Sequence, residues 1–380
     1  MQQSSRIKQL RLLPKEERRL LRGHLWAYRN EFAEIPELED GEIVDVLSAE
    51  GRFAGRGFYQ GQGGIAVRIL AWHQTDITPA FFANRIETAR AFRETLFPGE
   101  TTYRWIFGES DGLPGLVADR YGSVVVVHTS CRFYRSHIDS ISASLLAQDG
   151  VEGVRAEICG ETLHYGAVPE KTDCTVDGLR VRVDIETGQK TGLFLDQRMN
   201  WPILRRFANG KRVLDGHCYV GLWSIHAALA GASHVTAADT SAAAIDCARI
   251  NAGLNGVLER CSFERMDIME ALEGEGRYDV IVLDPPALAK SRAQERKALG
   301  LYQTLNTAAL KALDPGGVLI TSSCSHFVTA EDFLEILKRA TAAARRQTWL
   351  LEVRGASLDH PVLTAMPETA YLKCVTLRVC

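Results

Sequence analysis

No apolar run in this sequence reaches the roughly 18 residues that a membrane-spanning helix demands, so no such helix is expected. The first six residues, Met1 to Arg6, lead into no apolar stretch, so a secretory leader is not expected either. Nine cysteines stand at positions 131, 159, 174, 218, 247, 261, 324, 374 and 380, and no two have Cys-x-x-Cys spacing. That absence argues against a zinc or dithiol redox motif and fits a reducing cytoplasm with free, mostly buried thiols. A strong charge of either sign is missing too, since 44 Lys/Arg against 47 Asp/Glu leave a formal net charge of -3. There is no internal repeat and no low-complexity linker. Hydrophobic residues at 46% and charged residues at 24% argue against disorder. A chain of 380 residues exceeds one compact core and implies two or three domains.

Charge is distributed unevenly. Residues 1–30 hold eight basic side chains (Arg6, Lys8, Arg11, Lys15, Arg18, Arg19, Arg22, Arg29) against Glu16 and Glu17. Such an excess suits phosphate neutralisation, and it equally suits a solvated basic face. Period-two alternation over 41–47 and again over 65–70 brackets Gly51, Gly55, Gly57, Gly61, Gly63 and Gly64, which predicts a small β-barrel with tight turns over 1–72. Residues 73–190 read as α+β, with a helix over 79–92, strands near 123–129 and 179–184, and a loop over 109–116.

From 191 to 380 the pattern becomes strand-helix alternation. Strands are expected at 212–215, 234–239, 262–266, 278–283, 318–323, 348–354 and 371–379. Helices are expected at 222–230, 241–254 (with Ser241 as N-cap), one ending near 313, and 329–345. Alternation of this kind predicts an α/β fold with a parallel sheet covered on both faces and a ligand crevice at its carboxyl edge. Three acids, Asp215, Asp239 and Asp284, end consecutive strands, and Asp267 follows the strand at 262–266. Asp239 is placed to accept from a ribose diol and Asp267 to meet an adenine amino group. The competing reading, helix caps and turn residues, explains any one acid better than four in register. The first turn, Asp215-Gly216-His217-Cys218-Tyr219-Val220-Gly221, is not the Gly-x-Gly-x-x-Gly dinucleotide fingerprint. Its single helix-opening Gly221 leaves no pyrophosphate cradle, which favours S-adenosylmethionine over a nicotinamide dinucleotide. His217 and His226 are read as packing residues, and no metal is assigned.

Asp284-Pro285-Pro286-Ala287 sets a rigid turn that leaves carbonyls and a carboxylate toward the crevice. Cys324, in Ser322-Ser323-Cys324-Ser325-His326 after the next strand, should stand beside it. C5 of cytosine becomes nucleophilic only after something adds to C6; a thiolate does this, and a nearby carboxyl can hydrogen-bond or protonate N3. A thiol is only a few per cent ionised at neutral pH, so the substrate or a group such as His326 is expected to help. A lone cysteine at a strand end is more often packing; the neighbouring Asp284 reverses that.

At these residues the sequence resembles the bacterial large-subunit ribosomal RNA cytosine-5 methyltransferases that begin with a PUA domain. The likeness runs over essentially the full chain: Gly23-His24-Leu25-Trp26, the run from Asp111 to Gly122, the run from Gly188 to Arg198, Asp284-Pro285-Pro286, Ser323-Cys324-Ser325, Asp359-His360-Pro361 and Tyr371-Leu372-Lys373. The resemblance implies a PUA-like RNA-binding domain over 1–72, a central α+β domain over 73–190 and a class I (Rossmann-like) methyltransferase domain over 191–380. It implies Cys324 as nucleophile with Asp284 as its partner. It also implies that Phe194, Asp196, Gln197 and Arg198 reach the cofactor or the base, and that Cys218, Tyr219 and Gly221 line the cofactor loop with Asp215, Asp239, Asp267 and Asp284. The chain departs from the family at that loop, reading His217-Cys218-Tyr219-Val220-Gly221-Leu222-Trp223 where Phe-Cys-Tyr-Thr-Gly-Gly-Phe is usual.

The leading expectation is therefore S-adenosylmethionine-dependent C5 methylation of a cytosine in ribosomal RNA, in the cytoplasm and away from membranes. N-methylation of a guanine or adenine amino group, with Cys324 merely structural, is the second reading. A non-enzymatic RNA-binding assembly factor is the third. The sequence allows a homodimer without fixing the oligomeric state.

Overall fold

The computed structural model describes residues 7–274, 277–289 and 291–380, so Arg6 of the basic run lies outside the described residues. The chain divides into two compact units. The first runs up to Asp177 and adds Val183–Leu193 and Asp359–Thr369; the second comprises Gly178–Arg182, Phe194–Leu358 and Ala370–Cys380.

In the first unit, strands β1 (Lys8–Arg11), β2 (Trp26–Tyr28), β3 (Ile43–Leu47), β4 (Phe53–Tyr59) and β5 (Ile65–Ala71) form one sheet in the order β1-β3-β4-β5-β2. The segments that follow the two outer strands then meet: Leu12 bridges Phe32, and the Leu13 N–H donates to the Glu31 carbonyl at 2.8 Å. Closure of this kind removes exposed strand edges and gives the expected small barrel. The glycines divide differently from expectation. Gly51 and Gly63 take left-handed turns, but Gly55 and Gly57 lie inside β4. A Cβ on Gly57 would fall 2.0 Å from the Arg68 carbonyl oxygen on β5, so close backbone approach, not a turn, requires glycine there. Gly57→Ala is expected to destabilise the protein by about 2–3 kcal/mol, read as an earlier urea midpoint at unchanged slope. Part of the basic run is consumed within this barrel. Lys8 pairs with Glu42, Arg19 with Glu31, and Arg29 donates to Tyr59 and the Gln60 carbonyl.

A second sheet holds β6 (Thr102–Phe107), β7 (Leu116–Tyr121), β8 (Val124–Thr129), β9 (Gly153–Ile158) and β10 (Glu161–Gly166) in the order β10-β9-β8-β7-β6. Helices Pro79–Leu96 and Ile138–Leu146 contribute Phe82, Ile86, Ile141 and Leu145 to its core. Two short strands follow along the chain, β11 (Lys171–Val176) and β12 (Leu179–Asp184). The segment expected as a loop over 109–116 opens with a 3-10 turn, Gly108–Asp111. Its Asp111 carboxylate accepts both terminal nitrogens of the buried Arg93. Asp119, fully buried, accepts two bonds from Arg104 at 2.6 and 2.9 Å and one from the Thr191 hydroxyl. Asp359 accepts the Arg104 N–H at 2.9 Å, and the Leu193 N–H reaches the Tyr121 hydroxyl. Several segments that carried the family resemblance are thus scaffold: a buried charge survives only when it is paired and hydrogen-bonded.

The second unit is built on seven strands, β13 (Arg212–Gly216), β14 (His234–Asp239), β15 (Cys261–Arg265), β16 (Tyr278–Leu283), β17 (Leu313–Ser323), β18 (Thr348–Arg354) and β19 (Lys373–Val379), in the order β15-β14-β13-β16-β17-β19-β18. β13 to β17 run parallel, but β19 is antiparallel to both β17 and β18, which corrects the expectation of a wholly parallel sheet. The reason is the connection: a parallel return needs a crossover, usually a helix, whereas 355–372 holds only a 3-10 turn, Pro367–Thr369. Helix Ala242–Leu254 starts where Ser241 accepts the Ala244 N–H, and helix Ala330–Ala343 starts at a Thr329/Asp332 capping box. Leu214, Ile281 and Leu319 on the sheet pack against Tyr302, Leu310 and Phe333. Among the described residues no helix is long and apolar enough to cross a membrane.

Candidate active site

Strands β13, β14 and β16 are neighbours, and Asp215, Asp239 and Asp284 gather at their carboxyl ends. Asp215 is fully buried; its Oδ2 accepts the Ser224 hydroxyl at 2.6 Å, while its Oδ1 has no hydrogen-bond partner among the described residues. Burial, with Asp284 and Asp239 adding to it, pushes its carboxyl up to about 7 against the pull of Ser224. Its folded value thus lies above its unfolded one, so the stability it contributes is present below pH 4 and is lost as pH rises toward 7. Asp215→Asn is therefore expected to stabilise the ligand-free protein at pH 8 relative to pH 5, by about 1 kcal/mol or more, in paired urea titrations.

The loop after β13 is shaped by alternate left-handed residues, His217, Tyr219 and Gly221. Asp239 holds it, accepting the Tyr219 N–H at 3.1 Å and the Ser241 N–H at 2.9 Å. Gly221 is fixed by contact as well as by φ, because a Cβ would meet that of Ala248 at 3.0 Å. Cys218 is buried, and its N–H goes to the Ala238 carbonyl; it shapes the loop from inside, with its thiol pushed well up by burial. Asp267 is exposed and caps helix Ile268–Glu273 through the Met269 N–H at 2.8 Å. The Phe194 ring meets Tyr219 edge-on at 5.2 Å. Asp196 and Arg198 are buried, and Asp196 accepts the Tyr371 hydroxyl at 2.6 Å. Of the two histidines read as packing, His226 is buried against Trp201.

Asp284 is held from two sides. Gln197 Nε2 donates to its Oδ1 at 2.9 Å and to the Ser322 hydroxyl at 3.0 Å, and Trp223 Nε1 donates to its Oδ2 at 3.1 Å. Asn200 donates to Gln197 Oε1 at 2.7 Å, which fixes the amide's orientation. Cys324 is half-buried in the turn after β17, with its thiol 3.8 Å from the Pro285 carbonyl, one residue beyond Asp284. His326 is exposed and stacks on the buried Tyr371 at 5.0 Å. The Trp223 and Ser322 contacts were not foreseen. Trp223 replaces a residue that is usually phenylalanine, and that change from an aromatic without a donor to one with an N–H was the available signal. No group of three or more metal-ligating side chains occurs among the described residues.

A seven-stranded sheet in this order, with acids at the ends of its adjacent strands and no phosphate cradle, defines an S-adenosylmethionine-dependent methyltransferase. Residues 153–353 match the family described as S-adenosylmethionine-dependent methyltransferase, and residues 10–72 match a PUA-like domain. "Ribosomal RNA large subunit methyltransferase I" of Shewanella denitrificans is 35% identical, aligned over 97% of this chain and 99% of its own. That of Klebsiella pneumoniae is 34% identical over 96% of each. The chain belongs to this family of large-subunit ribosomal RNA methyltransferases. The fold is shared with a protein of Streptococcus mutans assigned to the SAM-dependent methyltransferases (TM-score 0.87, 22% identity, 98% of this chain and 100% of that one). It is shared also with a methyltransferase-like structure complexed with SAH (TM-score 0.89, 22% identity, 98% and 100%). S-adenosylmethionine is the cofactor of the family, and the site suits its cation: carboxylates converge there, one with an unpartnered buried oxygen.

Proposed function

We propose that this chain methylates C5 of a cytosine in large-subunit ribosomal RNA, through a transient bond between Cys324 and C6 of the base. The observation that carries the reading is the Cys324 thiol resting on the Pro285 carbonyl, beside an Asp284 oriented by Gln197 and Trp223. The names of the relatives support the RNA substrate, and the PUA-like segment supports RNA binding. In this reading the cofactor would be held by Asp215, Asp239, Asp267, the loop of Cys218, Tyr219 and Gly221, and the segment of Phe194, Asp196, Gln197 and Arg198. When bound it supplies an electrophilic methyl group. The Cys324 thiolate adds to C6 while Asp284 holds the N3 edge, where charge develops. After the methyl group reaches C5, a base removes the C5 proton and the C6–S bond breaks, returning the thiolate. The target must leave its stack to reach Cys324, which favours single-stranded or loosely structured RNA. The free thiols support action in the cytoplasm, and the division into segments 1–72, 73–190 and 191–380 belongs to the same reading.

RNA containing 5-fluorocytosine is the test, because fluorine at C5 cannot leave as a proton does. A cofactor-dependent covalent complex surviving denaturing electrophoresis is the expected result. Methylation of ordinary RNA with no such complex from the fluorinated one would move the chain to amino-group methylation, with Cys324 structural.

A further inference from the structure

We infer that Lys373 is a positioning residue whose buried ammonium stabilises the thiolate of Cys324. The inference rests on the covalent reading above and supplies what that reading leaves open, the means by which a thiol among carboxylates becomes ionised. Lys373 opens β19 in register with Ser323, the residue before Cys324. Lys373 is 6% exposed, and its Nζ donates to the carbonyls of Ser325 and Tyr371, both at 2.8 Å. It thus clasps the turn that carries the thiol.

No carboxylate among the described residues forms an ion pair with this ammonium, which a buried lysine ordinarily requires. Burial outweighs the upward pull of Cys324 and then Asp332 and brings Lys373 down to about 8. The coupling is reciprocal: a thiolate that favours the ammonium is favoured by it to the same extent. The other groups around this turn work in the opposite direction or stand outside it. Asp284 follows β16 and is anionic when ionised. Tyr302, on helix Glu295–Ala312, reaches the Ser325 hydroxyl at 3.1 Å, and its own ionisation is pushed up by burial, with Cys324 adding to the shift. Asp332 is tied to Thr329 at the start of helix Ala330–Ala343. His326 is exposed on Tyr371. A protonated Lys373 is the buried cation of this set, and it remains protonated at pH 7.

The test is the pH profile of Cys324 alkylation by iodoacetamide in the full chain, followed by peptide mass spectrometry, with exposed Cys380 as internal reference. Lys373→Gln keeps N–H donors for the two carbonyls and removes the charge. It is expected to slow Cys324 alkylation about tenfold at pH 7 and shift the profile about one unit upward, with Cys380 unchanged. Lys373→Arg should restore the profile. Should Lys373→Gln misfold by circular dichroism, Lys373→Met, which removes an unpaired buried charge, serves in its place. Superimposable Cys324 profiles in the wild type and the charge-free variant would overturn the inference. Failure of the covalent reading shows separately, as a missing 5-fluorocytosine adduct in the wild type.

Discussion

Cys324→Ala is expected to abolish methyl transfer to RNA, a fall on the order of 10⁴-fold or more, while S-adenosylmethionine binding by calorimetry is unchanged. The size follows from the lack of a substitute. Cys374, the second residue of the neighbouring β19 and paired opposite Ser322, is buried and pushed up to about 12. Cys218 is likewise buried, with its thiol raised well above the ordinary range by burial and then by Asp215 and Asp239. Neither can supply a thiolate at neutral pH. Without addition at C6, C5 of cytosine has no electron pair to offer, so loss of the sulfur should halt the chemistry, not merely slow it. Turnover at the wild-type rate in this variant would end the covalent reading and leave the fold and family untouched.

Asp284→Asn should lower kcat/KM by about 10²–10⁴-fold with the protein still folded. The carboxylate accepts from Gln197 on one oxygen and from Trp223 on the other. An asparagine has one acceptor oxygen, so its amide must face one of those donors with its own N–H groups. The group presented to the base is then both uncharged and displaced. The same change should lower the Asp215 carboxyl from about 7, because Asp284 is one of the charges holding it up. Carboxyl-labelled NMR would follow that shift, and activity within threefold of wild type would remove Asp284 from the chemistry.

Much of the second unit was legible because its strands are short apolar runs bounded by turn signals. The expected spans 234–239, 278–283 and 348–354 coincide with β14, β16 and β18. The direction of β19 was not legible, since strand periodicity carries no polarity and the missing crossover shows only when the connection is known to lack a helix. Gly55 and Gly57 read as turn residues because composition cannot tell a bend from two backbones in contact. At the site, the acids were found by their place at strand ends. Gln197 and Trp223 acquired their common partner, Asp284, only through folding, as Gln197 did Ser322, 125 positions away. Lys373 sat in a recognised motif, yet nothing in Tyr371-Leu372-Lys373 announces that the amine turns back into the protein.

The division of the chain has a consequence for its synthesis. Asp359, which caps the Arg104 backbone in the first unit, and β19, which lies inside the second unit's sheet between β17 and β18, both fall within 359–380. Neither half can therefore be finished until the stretch after residue 358 has been made and has settled into both. Chains stalled before codon 359 would present two incomplete halves at once, with the open flank of β17 as a ready template for mispairing.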